Sequence, residues 1–288
     1  MPDHGARDQA SGLRRLISPL HCRILTVLGS RPGAGASLVV AGLACIGDHA
    51  SSMLVLDEHL GPRHLGRILN LRLRYDARQV LAGHLDWVRA LVSIGPQVDY
   101  LNLGRVKATP AAVPWSGLVA LAHQRTHVLV DGASLELAQR IRGPHENIRA
   151  SVLWVVDEAD SWSACQKRLG QLLRHSPTAV GGVINRATNG DRVLEWQGRC
   201  RALVQSAGLE YRDFGFLPLA QRPTHDTQWR FNTMGGLPSV SLSQSLMRLR
   251  AQILSWNPAV RIQNTAQGNE SDGFSWGERY TRVAWRGR

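Results

Sequence analysis

Arg23-Ile24-Leu25-Thr26-Val27-Leu28-Gly29 runs into Ser30-Arg31-Pro32-Gly33-Ala34-Gly35-Ala36-Ser37 and then into the helix-like run Leu38 to Ile46. An apolar strand, a Gly-rich turn and a helix that opens on a hydroxyl residue form the layout of a Walker A loop. In such a loop backbone N–H groups cradle phosphates, a lysine reaches the β- and γ-phosphates, and the hydroxyl holds Mg²⁺. Gly35 and Ser37 stand in place, but Ala36 occupies the position of the lysine. Ser30 and Pro32 stand where glycines are usual, and Pro32 removes one N–H from the cradle while fixing its own φ. These departures predict weakened or lost tight nucleotide binding. Of 34 Lys and Arg, only Lys107 and Lys167 are lysines, so Arg31 fits a chain that uses Arg in place of Lys. Ala36 does not, because it carries no charge.

The 288 residues suit one large domain or two small ones, and 43% hydrophobic residues provide for a substantial core. No run approaches 18 apolar residues, which predicts no membrane-spanning helix. The polar start, Met1 to Gln9 with Asp3 and Asp8, speaks against a secretory signal. Cys22, Cys45, Cys165 and Cys200 are scattered without a CxxC pair and read as reduced thiols of a cytoplasmic protein. The eleven histidines show no metal-binding spacing, so no metal beyond Mg²⁺ is expected. The net charge of +12 is spread thinly, without a Lys/Arg block, and reads as solvated arginines rather than a specific nucleic-acid surface.

Apolar runs recur at Ile24–Leu28, Met53–Leu56, Val98–Leu103, His127–Val130, Val152–Val156, Val180–Ile184 and Phe214–Leu217. Most are continuous rather than alternating, as in strands buried on both faces of a parallel sheet. Helical stretches lie between them: Leu38–Ile46, Trp115–Gln124, Ser161–Arg174 with Ser161 as N-cap, Asp191–Ala207 and Ser243–Trp256. Leu242, Leu246, Leu249 and Ile253 form a core-facing stripe at helical spacing. This alternation predicts an α/β fold with a doubly wound, mostly parallel sheet over residues 21–257. Residues 258–288 lose the pattern and read as a flexible tail. The tail ends in Trp276, Tyr280 and Trp285 among Arg279, Arg282 and Arg286, a composition open to weak membrane contact but interrupted by Gly277 and Gly287.

In order along the chain, these motifs resemble the MinD/ParA class of P-loop ATPases, over about residues 21–256. The resemblance places Arg31 at the class's signature Lys/Arg, and Gly33, Gly35, Ala36 and Ser37 in its nucleotide loop. Leu54-Val55-Leu56-Asp57-Glu58-His59-Leu60-Gly61 is similar to its LDxDxG segment, with Asp57 on the first, water-orienting acid and His59 replacing the second. Val128-Leu129-Val130-Asp131 resembles its Walker B strand, which implies that Ser37, Asp57 and Asp131 would hold Mg²⁺. Asn185 falls on an adenine-contacting position, and Phe216-Leu217-Pro218 on the segment beside the base, with Pro218 in place. ATP or ADP with Mg²⁺ are the implied ligands, weakened by Ala36, and ATP hydrolysis is expected to be weak or lost.

Ahead of the first strand, Asp8-Gln9-Ala10-Ser11-Gly12-Leu13-Arg14-Arg15-Leu16 is similar to the DQAxxLR arm of FlhG-like members of that class, regulators of flagellar number and placement. There the arm binds the GTPase FlhF and stimulates its GTP hydrolysis, with the Gln in the catalytic chamber. By residue match, residues 1–20 would be a partner-activating arm, with Gln9 at the catalytic point and Asp8, Ala10, Leu13 and Arg14 docking around it. So short a segment is a marginal helix alone and would order on its partner. The resemblance implies further contacts with flagellar basal-body or transcriptional proteins, and a cytoplasmic location reaching the inner membrane or cell pole. Two alternatives stand beside it. One is a working ATPase in which Arg31 or Lys107 replaces the missing lysine. The other is a DNA- or membrane-associated partition or cellulose-synthesis factor of the same fold.

Overall fold

The strands from Ile24 to Ile184 carry apolar side chains on both faces, and the fold covers both. The computed structural model describes residues 22–46, 51–59, 65–75, 77–103, 115–132, 134–143, 148–175, 177–219 and 240–258. The arm over residues 1–20, Lys107 and the tail from residue 259 lie outside them. Among the described residues, β1 (Arg23–Gly29), β2 (Met53–Asp57), β3 (Val92–Gly95), β4 (Val98–Asn102), β5 (His127–Asp131), β6 (Arg149–Asp157), β7 (Ala179–Ala187) and β8 (Glu210–Pro218) form one sheet. Its order is β3-β4-β2-β5-β1-β6-β7-β8. Every pairing is parallel except β3 with β4. The fold is thus α/β with a doubly wound, mostly parallel sheet, as the strand–helix alternation predicts.

The helices are α1 (Ala36–Cys45), α2 (Leu65–Ile68), α3 (Ala77–Leu81), α4 (Trp87–Ala90), α5 (Ser116–His123), α6 (Glu136–Arg142), α7 (Trp162–Leu173), α8 (Gly190–Ser206) and α9 (Val240–Ser255). On one face Leu25, Val27, Val55, Leu129, Leu153 and Val155 pack against α1 and the Leu242/Leu246/Leu249/Ile253 stripe of α9. On the other face Ile24, Leu54, Leu56, Val128 and Val130 meet α3, α5 and α6. Farther along that face Val152, Trp154 and Val156 meet α7 and α8. Neighbouring residues of a strand point to opposite faces, so burial on both sides demands the unbroken apolar runs seen in the sequence.

Two local features position the site. At Gly42 in α1 a Cβ would lie 2.8 Å from Leu246 Cδ1, so this glycine lets α9 press against the helix that follows the loop. At the N-terminus of α8 the Asn189 side chain accepts from Asp191 N at 2.8 Å and Arg192 N at 3.4 Å. Ser161 does occupy the N-cap position of α7, but its side chain caps no amide. Its hydroxyl meets that of Ser163 at 2.9 Å instead. The β3 hairpin and the short helices α2, α3, α4 and α6 go beyond the sequence expectations. They are too brief to show a period, although Gly95-Pro96-Gln97 is a turn signal. No helix of the described residues is long and apolar enough to cross a membrane.

Candidate functional site

From β1 the chain crosses to β2 on one side of the sheet, while β6 lies on the other, so the carboxyl end of β1 is a topological switch point. Open α/β sheets bind ligands in the crevice that forms there. The loop Ser30–Ser37 occupies it. Gly33 and Gly35 take φ of 87° and 100°, left-handed values that favour glycine. Gly35 is doubly constrained, because a Cβ there would fall on the side-chain amide nitrogen of Asn185. That nitrogen donates to Ala34 O at 2.7 Å, so Asn185, 2% exposed on β7, clasps the loop from below. The N-terminus of α1 has Gly35 at its cap with no side-chain cap, which leaves its first-turn amides to an anion. Ala36 and Ser37 lie in that first turn.

On the β2/β5 side three carboxylates gather. Asp57 and Asp131 end neighbouring strands in register, and Glu58 N donates to Asp131 O at 3.0 Å. All three residues are buried. The Asp57 carboxylate accepts from His59 N at 2.9 Å, Leu65 N at 2.9 Å and the Tyr100 hydroxyl at 2.8 Å. Asp57 therefore ties His59 and the first residue of α2 to the end of β2. Burial, and then the neighbouring Asp131, push its carboxyl above the ordinary range. Tyr100 is itself fully buried, and its hydroxyl accepts from Gly66 N at 3.1 Å and Asn102 Nδ2 at 3.2 Å. Burial, and then Asp57, raise the Tyr100 phenol well above its usual value.

Asp131 differs from Asp57. It is 0% exposed, and neither carboxylate oxygen has a hydrogen-bond partner among the described residues. His59 Nε2 lies 3.4 Å from Oδ1. The hydroxyl of Thr26 on the adjacent strand β1 is likewise buried without a hydrogen-bond partner. Buried oxygens without a hydrogen bond on neighbouring strands β1 and β5 fit a hydrated Mg²⁺, which keeps several waters and takes one or two carboxylates plus phosphate oxygens. The described residues contain no group of three or more His, Cys, Asp or Glu placed to hold a metal by themselves. The donor set therefore fits Mg²⁺ carried with a phosphate rather than a protein-enclosed ion.

On the β6/β7 side the loop is tied to acids. Arg31 Nη2 meets Asp157 Oδ2 at 2.5 Å, and its Nε donates to Asp160. The Ser30 hydroxyl also donates to Asp160. The Asp160 hydrogen bond, with the charge of both acids, raises the Arg31 guanidinium above its already high value. Arg186, directly after Asn185, reaches in from β7. Its Nη1 meets Asp157 Oδ2 at 2.7 Å and its Nη2 donates to Gly33 O at 3.0 Å. Sequence reasoning passed over Tyr100, Asp157, Asp160 and Arg186. Three of the four stand at or just beyond strand carboxyl ends, and that placement is the signal that could have raised them. Pro218 lies at the same edge, paired with Ala187 two residues beyond Asn185. The structure thus gathers Arg31, Gly33, Gly35, Ala36, Ser37, Asp57, Asp131, Asn185 and Pro218 along one sheet edge. The arm residues Asp8, Gln9, Ala10, Leu13 and Arg14 lie outside the described residues.

No protein-family model matches the chain, and no curated protein matches it in sequence. Solved structures do match in fold. MinD in the MinC:MinD cell division complex of Aquifex aeolicus superimposes with a TM-score of 0.56 at 19% identity, covering 83% of this chain and 98% of that one. The septum site-determining protein MinD of Pyrococcus horikoshii, solved with Mg-ADP, gives 0.56 at 17% identity, covering 81% and 96%. A ParA family ATPase from Chlorobium tepidum gives 0.53 at 17% identity, covering 80% and 98%. At such identities the likeness establishes the fold, which is that of the MinD/ParA P-loop proteins.

Proposed function

We propose that this chain is an FlhG-like regulator that stimulates an FlhF-type GTPase through its N-terminal arm, with Gln9 at the catalytic point and its own ATP site weakened. The observation that carries this reading is the pairing of a DQAxxLR-like arm, Asp8 to Arg14, with a body of MinD/ParA fold. The state of the loop supports the second half. Ala36 supplies no charge where a phosphate-binding lysine belongs, and a charge-assisted contact of that kind is among the strongest available to a phosphate. Arg31, the signature-position cation, is engaged by Asp157 and Asp160 of its own chain. Asp57, the expected water-orienting acid, spends its oxygens on two backbone amides and Tyr100. A protein with these features regulates by contact more readily than by turnover. Mg²⁺ and a nucleoside diphosphate or triphosphate would still sit against Asp131, Ser37 and the loop amides.

The test is GTP hydrolysis by an FlhF-type GTPase with and without the full chain. Stimulation by the wild type that Gln9→Ala removes is the expected result. An unchanged rate with the wild-type chain would sink the proposal. The reading as a DNA-associated partition factor would instead be marked by DNA retention that falls steeply with salt.

A further inference from the structure

We propose that Arg186, carried by β7 rather than by the loop, is the cation that meets the phosphates of a nucleoside diphosphate or triphosphate at this site, in place of the charge absent at Ala36. The inference deepens the reading of the loop as a weakened nucleotide site and is independent of the N-terminal arm. Arg31 is the cation the sequence offers first, but two carboxylates hold it, Asp157 through Nη2 and Asp160 through Nε. Arg186 is held by one carboxylate and by a loop carbonyl, Gly33 O, so its guanidinium already stands at the loop.

Exchange of its partner is inexpensive. When Arg186 turns from Asp157 to a phosphate, Asp157 keeps Arg31 on Oδ2 and Ala159 N, at 3.2 Å, on Oδ1, so no buried carboxylate is orphaned. Gly33 is exposed, and its carbonyl can be satisfied by water. Arg186 is 44% exposed against 2% for Asp157, so it is the mobile member of the pair. Its backbone carries a second mark. Arg186 adopts φ 57°, a left-handed conformation that costs a non-glycine residue free energy and concentrates at ligand clamps. Asn185, next to it, grips Ala34 O, so two successive residues of β7 reach the loop. A guanidinium also presents two parallel N–H groups to phosphate oxygens, which suits the role.

The experiment is titration calorimetry of the full chain with Mg·ADP and Mg·ATP at up to millimolar ligand, for wild type, Arg186→Ala, Arg186→Lys, Arg31→Ala, Ala36→Lys and Ala36→Lys/Arg186→Ala. Circular dichroism melts confirm that each variant folds. Wild type is expected to bind weakly, Arg186→Ala to lose about tenfold or more, and Arg186→Lys to recover part of the loss. Arg31→Ala leaves Asp157 with Arg186 as its one cation, so Arg186 can no longer leave it without orphaning a buried carboxylate, and binding should weaken as well. With a lysine at 36, the Arg186→Ala penalty should shrink, an outcome that a purely structural role for Arg186 would not produce. Arg186→Ala binding as well as wild type, or an equal penalty in the Ala36→Lys background, overturns the assignment while leaving the nucleotide-site reading intact. Absence of wild-type binding overturns it as well. In that case binding by Ala36→Lys would preserve the reading of the loop, and its absence would remove that reading too.

Discussion

Replacing Asp131 with Asn should make the ligand-free protein more stable while abolishing its response to Mg²⁺ and nucleotide. The carboxylate is 0% exposed, both oxygens lack hydrogen bonds among the described residues, and His59 Nε2 stands 3.4 Å from Oδ1. Asp57 ends the adjacent strand in register with it, and Asp131 pushes the Asp57 carboxyl upward. An unsatisfied buried polar group costs about 1–3 kcal/mol, and more when charged. Asn keeps the shape, removes the charge and relieves Asp57, so a gain of about 1–3 kcal/mol is expected in chelator. For a domain of this size that corresponds to about 2–4 °C in Tm per kcal/mol. Urea unfolding at neutral pH in EDTA measures the first effect, read as a shifted midpoint at constant slope. Repetition with millimolar Mg·ADP measures the second. Ligand that binds only the folded state raises stability by RT ln(1 + [L]/Kd), so wild type should gain and Asp131→Asn should not. A variant less stable than wild type in EDTA would refute the reasoning, because the carboxylate would then be making contacts that hold the fold.

Other residues give sharper local tests. Gly35→Ala forces a left-handed φ of 100° on alanine and drives its Cβ onto Asn185, so a loss of about 1–3 kcal/mol is expected by chemical unfolding. Tyr100→Phe strips a buried acceptor from Gly66 N and Asn102 and a donor from Asp57, and should cost about 1–3 kcal/mol, read the same way. His127, at the amino end of β5, is lowered from 6.5 to about 4, first by burial and then by Arg23 and Arg250. Between those values the unfolded chain binds a proton that the folded chain does not, so stability is full above about pH 6.5 and falls as pH drops toward 4. The loss is about 3 kcal/mol, and His127→Gln should flatten that part of the pH–stability curve; a curve identical to wild type would contradict it.

The sheet was legible because its strands are buried on both faces, and a continuous run such as Leu54-Val55-Leu56 between turn residues suits a central parallel strand. The α9 stripe was equally readable, since Leu242, Leu246, Leu249 and Ile253 all enter the core. The antiparallel β3 was not, because Val92-Ser93-Ile94-Gly95 is too short to declare a period and its pairing is decided by the turn before Val98. At the site, the glycines and strand-end acids were placed by motifs that resemble those of the MinD/ParA class. Their hydrogen-bond surroundings could not be read, since Asp57 and Asp131 each simply end an apolar run in the sequence. A distant residue, Tyr100, donates to Asp57 along with two backbone amides, whereas Asp131 has only His59 Nε2 at 3.4 Å beside it. Arg186 was hidden for a related reason. A guanidinium that reaches a loop some 150 positions earlier is a tertiary event, and nothing within its own segment announces it.

The proposed stimulation does not depend on the chain's own nucleotide site, and one measurement addresses this directly. GTP turnover by an FlhF-type GTPase is followed as the full chain is titrated in, without nucleotide for the chain and then with Mg·ATP, using wild type and Gln9→Ala. Stimulation by wild type should be the same in both conditions and absent with Gln9→Ala. No stimulation, or stimulation that requires Mg·ATP, would contradict it.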